Sequence, residues 1–80
     1  MNAKDAVAKR FQQLCKERKI TFNELANLSG VTPSTLYSVM DERRRDISIL
    51  TIKKFCDGLE LSLVEFFQDK IFEELEPEIK

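Results

Sequence analysis

The feature that most narrows what this chain can fold into is a start signal that recurs four times. An apolar residue stands before Ser or Thr, and a second apolar residue follows five positions after the first. The instances are Ile20-Thr21 with Leu25, Val31-Thr32 with Leu36, Ile47-Ser48 with Ile52, and Leu61-Ser62 with Phe66. At a helix start the hydroxyl accepts from a first-turn N–H that has no partner of its own, and the apolar pair closes over that turn as a staple. Glu24 and Glu65 add the reciprocal carboxylate of a capping box, and Pro33 sits where a missing N–H costs nothing. No stretch alternates as a strand does. The expected class is all-α, built of short, closely connected helices.

The first helix is expected over residues 4–18, with Val7, Phe11, Leu14 and Cys15 on one face. A second spans 22–29 and stops at Gly30, a residue suited to the left-handed conformation of a helix end. The third spans 33–41 and buries Leu36, Val39 and Met40, and a charged loop at 42–46 leads to a fourth over 49–59. A fifth begins after Ser62 and is expected to run through Gln68 into a last acidic helix ending before Pro77.

Eighty residues hold one core, and a content of 42% apolar and 34% charged residues is that of a folded soluble domain. The apolar runs are too short to span a membrane, and MNAKDAVAKR has no stretch resembling a secretion signal. With no His and only two Cys, at 15 and 56, no metal site, disulfide scaffold or activated nucleophile can be assembled. The expectation is a cytoplasmic non-enzyme with buried thiols, no cofactor and no metal.

The net charge of −1 hides a division. Residues 1–56 carry eleven Lys/Arg against six Asp/Glu, or +5, whereas residues 57–80 carry two against eight, or −6. A basic body suits a polyanion, since a partner feels the local field and not the total.

The second and third helices are separated by only a few residues. Ala26, Gly30 and Leu36 have a steric logic there: two helices crossing steeply need a small side chain at the approach and a residue free to take positive φ at the corner. Leu25, Val31, Leu36 and Val39 fill the angle. This is a helix-turn-helix arrangement, whose second helix enters the DNA major groove.

Residues 11–67 resemble the Cro and phage-repressor type of helix-turn-helix, also called the XRE family. FQQLCKERKITFNELANLSGVTPSTLYSVM matches its opening helix, threonine cap and helix-turn-helix, and ISILTIKKFCDGLELSLVEFF matches its last two helices. The resemblance implies a five-helix lambda-repressor-like bundle that binds double-stranded operator DNA as a homodimer and regulates transcription, most often as a repressor. Carried over by position, Thr32, Pro33, Ser34, Tyr37 and Ser38 would meet bases or the groove. Thr21, Asn23, Arg43, Arg44 and Arg45 would hold phosphates, with Lys4, Lys9 and Arg10 adding attraction.

The chain departs from the family pattern in three places. Phe22 stands where a phosphate-binding Gln is common. Cys15 and Met40 replace an Arg–Glu pair. The recognition helix has no Arg, Lys, Gln or Asn, which shifts specificity toward shape, water and phosphate positioning.

Residues 1–68 are read as the DNA-binding domain and 69–80 as an acidic helical tail. Phe67, Ile71 and Leu75 recur at helical spacing with Phe72 beside them, which leaves two readings open. The stripe either covers the domain's own core or meets the same surface of a second chain. A rival function uses this end: an antitoxin-like or accessory protein-interaction module that kept the fold.

Overall fold

The helices begin where the sequence supplies an acceptor. In a computed structural model describing residues 1–79, α1 (Ala3–Arg18) is capped by Asn2, which accepts from the Asp5 N–H at 2.8 Å. Capping boxes open α2 (Phe22–Ser29), where Thr21 and Glu24 exchange bonds at 3.1 and 3.0 Å, and α5 (Leu63–Phe67), where Ser62 and Glu65 do so at 3.0 Å each way. Ser48 caps α4 (Ile49–Gly58) by accepting from the Thr51 N–H at 3.0 Å.

The exception is α3 (Pro33–Met40). The Thr32 hydroxyl accepts from no backbone N–H there. The Thr35 N–H donates to the Thr32 carbonyl at 3.0 Å instead, so the amide a cap would take is already satisfied. Pro33 offers none. The Thr32 oxygen pairs with the hydroxyls of Ser34 and Thr35, at 3.0 and 3.1 Å.

Helix ends use the left-handed turn three times. It falls on Lys19, Gly30 and Glu60, and each turn closes with the following N–H donating back into the helix: Ile20 to Cys15, Val31 to Ala26, and Leu61 to Cys56. Only one of the three is a glycine.

Long side chains from α1 then reach the carboxyl ends of three other helices. The Lys4 ammonium donates to the Asp41 carbonyl at 2.7 Å, at the end of α3. The Arg10 guanidinium donates to the Phe66 and Glu65 carbonyls at 2.7 and 3.0 Å, at the end of α5, and Arg18 donates to Leu59 at 2.5 Å, after α4. Each cation meets carbonyls exposed at a helix's last turn or just past it, at the negative end of a helix dipole. Lys4 is only 4% exposed and Arg10 is half-buried, so both side chains are engaged within the domain and leave only their charge to act on a partner at a distance.

All five helices contribute to the core, whose aromatic centre lies between α1, α4 and α5. The Phe11 ring packs edge-on to Phe55, with centroids 5.0 Å apart, and tilted on Phe66 at 4.7 Å; all three are fully buried. Cys15 and Cys56 are free and buried in the same cluster, and burial raises both thiols above their ordinary pKa.

The five helices stand as expected, with no strand among the described residues. The last acidic helix does not form. Residues 70–72 make a single 3-10 turn capped by Asp69, and the described residues beyond it carry no further helix. Arg10 and the extended Asp69 end α5, and a crowd of like-charged glutamates before Pro77 gives no reason to restart it. Phe67, Ile71 and Leu75 therefore do not share one helical face. Phe72 turns back onto Phe66 and Phe67, at 5.9 and 4.9 Å, and Ile71 and Leu75 are half-buried. The tail then runs along the start of α1, where the Glu76 N–H donates to the Met1 carbonyl at 3.1 Å.

The capping box of α5 has a pH consequence. Bonds from Ser62 hold the Glu65 carboxyl below the ordinary glutamate pKa. A group lowered by folding contributes stability that is complete above its unfolded pKa and is lost as pH falls through the folded value. Glu65→Gln, whose amide oxygen still accepts from the Ser62 N–H, should flatten this part of the acid limb in melting temperature against pH. An unchanged acid limb would show that the box contributes no proton linkage.

Candidate nucleic-acid interface

The α2–α3 corner forms as the residue choices require. Ala26 is fully buried at the approach, Gly30 takes φ +68° at the turn, and Leu25, Leu36 and Val39 are buried in the angle with Val31 half-buried. Three residues, 30–32, join the two helices.

The start of α3 projects outward. Thr32, Pro33 and Ser34 are exposed, Tyr37 is 59% exposed, and Ser38 is half-buried with its hydroxyl donating to the Ser34 carbonyl at 3.1 Å. These five residues share one region of one helix. The structure adds a neighbour that sequence reasoning missed. Thr35 and Ser38 of α3 and Ser48 and Thr51 of α4 line a cleft of about 280 Å³ with Arg44 and Asp46. The Arg44 guanidinium suits phosphate oxygens, whereas the hydroxyls are largely engaged, Thr35 with Thr32, Ser38 with the Ser34 carbonyl and Ser48 with Thr51, and Asp46 places a carboxylate in the same cleft. The signal available in the sequence was a Ser-capped helix start directly after the arginine triplet.

The residues expected to hold phosphates divide. Thr21 and Asn23 are exposed at the start of α2, but Glu24, the partner in the capping box, places a carboxylate there too. Phe22 packs half-buried against the core. Arg43 is tied down: its Nε and Nη2 each donate to an oxygen of Asp41 at 3.1 Å, and its backbone N–H donates at 3.0 Å. The Arg43 guanidinium holds the Asp41 carboxyl below its ordinary pKa, and Asp41 raises that of Arg43. Arg44 and Arg45 are exposed and make no ion pair among the described residues. The Asp41 carbonyl anchors this turn by accepting from both Lys4 and the Arg44 N–H. Arg45 shares a further cleft with Glu78, so the acidic tail comes near the arginine loop instead of standing apart from it.

Among the described residues no group of His, Cys, Asp or Glu could hold a metal ion, and no helix is long and apolar enough to cross a membrane. The profile of the Cro/C1-type HTH DNA-binding domain matches residues 10–70. Neither the curated proteins nor the solved structures contain a significant match to this chain.

Proposed function

Because this chain belongs to the Cro/C1-type helix-turn-helix DNA-binding family, we propose that it is a sequence-specific regulator that occupies operator DNA as a homodimer. In this reading α3 lies in the major groove with Thr32, Pro33, Ser34, Tyr37 and Ser38 toward the bases. Arg44, at the α3–α4 cleft, and Arg45 hold the backbone on one side, and Thr21 and Asn23 hold it on the other. Regulation follows from occupancy, as repression in the cytoplasm, with no chemistry on the DNA.

The observation that carries the reading is the exposed start of α3 with Arg44, which makes no ion pair among the described residues, lining the cleft beside it. For the dimer, Phe67 is 37% exposed, and Val64, on the same helix, is 75% exposed. Those two side chains would form the centre of a self-complementary contact, with Phe72 packed on Phe67 at 4.9 Å and the half-buried Ile71 and Leu75 of the tail joining it.

Titration of a random duplex pool at two salt concentrations tests this. Binding should weaken steeply with salt through counterion release, and enrichment should yield a palindrome with half-sites about one helical turn apart. A protein that ignored every duplex at low salt would favour the protein-interaction module, antitoxin-like or accessory.

A further inference from the structure

We propose that α3 reads the C5-methyl groups of thymine, so that thymines, and not guanine or adenine edges, define the half-site. The inference rests on the DNA-binding reading and goes beyond it by naming what is read. Bidentate recognition of guanine needs Arg or Lys, and that of adenine needs Asn or Gln. Residues 33–40 contain none of them.

The hydroxyls that remain are already occupied with one another. Thr32 pairs with Ser34 and with Thr35, which engages two of the three protons in that group, and Ser38 donates its own to the Ser34 carbonyl. One free hydroxyl proton and the Tyr37 phenol are a sparse set of donors for base edges. What α3 displays in quantity is carbon, in the exposed Pro33 ring and the aromatic face of Tyr37. The major groove has one apolar landmark to match it, the thymine methyl. 5-Methylcytosine carries the same group at the same ring position, so a methylated cytosine should substitute for thymine where the remaining edge is not contacted.

The test uses a duplex enriched from a random pool by the full chain. Thymines are replaced one at a time by deoxyuridine, which removes only the methyl. Loss of one buried methyl should weaken binding about three- to fivefold at one or more half-site positions, with the salt slope unchanged. Tyr37→Ala or Pro33→Ala, both at exposed positions, should abolish the difference between thymine and deoxyuridine there. Sequence-specific binding that is equal for thymine and deoxyuridine at every position would overturn the inference while leaving the DNA-binding reading intact. Failure to bind any duplex would overturn both. A deoxyuridine effect that survives in both variants would overturn the assignment to these side chains.

Discussion

Gly58→Ala should destabilise the domain by about 2–3 kcal/mol, the usual scale for overpacking a closed site, and lower the melting temperature by roughly 10–20 °C. The residue lies in α4, where exchanging glycine for alanine on an open surface would stabilise the helix by about 1 kcal/mol. The sign reverses because α2 crosses there. A Cβ on Gly58 would stand 2.5 Å from the Ser29 hydroxyl and 2.9 Å from both the Leu28 carbonyl carbon and the Ser29 nitrogen. The hydroxyl can swing aside, but the backbone cannot, so α2 must back away from α4 and take the start of the α2–α3 corner with it. For a domain whose whole stability is on the order of 4–12 kcal/mol, that is a large fraction.

Two companion variants separate space from backbone conformation. Gly30→Ala meets nothing within 4 Å and should cost only the left-handed φ of +68°, about 1 kcal/mol. The Ser29 hydroxyl is buried without a partner, so Ser29→Ala should be neutral or mildly stabilising. Combined with Gly58→Ala, it should recover part of the loss and not all of it, since the backbone clash remains. A Gly58→Ala protein as stable as the parent would refute the close approach.

Gly58 also marks where the sequence stops being legible. Helix starts were readable because a cap and its staple lie within six residues, and Gly30 was readable because a turn glycine acts locally. Gly58 does its work across to another helix, and no pattern around it says so. The left-handed turn after α4 falls on Glu60, where a charged residue gives no hint of it.

Charge misled for a related reason. The count of a basic body stands, but it does not say which cations can touch a partner: Lys4, Arg10 and Arg18 are engaged with carbonyls at the ends of three helices, and that is a property of packing. The periodic stripe at Phe67, Ile71 and Leu75 failed because one of those same residues, Arg10, binds the last carbonyls of α5 and helps end the helix. On the candidate site, the choice of α3 residues came from position in a pattern. Ser48 and Thr51 lie within the same pattern but act across to α3, so only the packing of α3 against the start of α4 shows that they share a cleft.

The arginine triplet gives the largest expected effect on binding. Arg44→Ala with Arg45→Ala should weaken affinity for all duplexes alike, roughly tenfold for each guanidinium removed from a phosphate, and should lower the salt slope by about two. Arg43→Ala should lower the salt slope little and weaken binding less than either of these, because its guanidinium faces Asp41 at 3.1 Å through two nitrogens and not a phosphate, so what remains is repulsion from the Asp41 carboxylate left unpaired. The Asp41 carboxyl, held low, stays ionised at neutral pH and keeps that pair closed; protonation opens it only as pH falls through the lowered value. Asp41→Asn breaks the pair at neutral pH, so it should tighten binding several-fold and steepen the salt slope by about one as Arg43 becomes available. Binding isotherms over a salt series measure all four proteins. A loss from Arg43→Ala equal to the per-arginine loss in the Arg44→Ala, Arg45→Ala double variant would mean that phosphate draws Arg43 away from Asp41. The bound loop would then differ from the free one, and Asp41 would act as a latch on the third arginine.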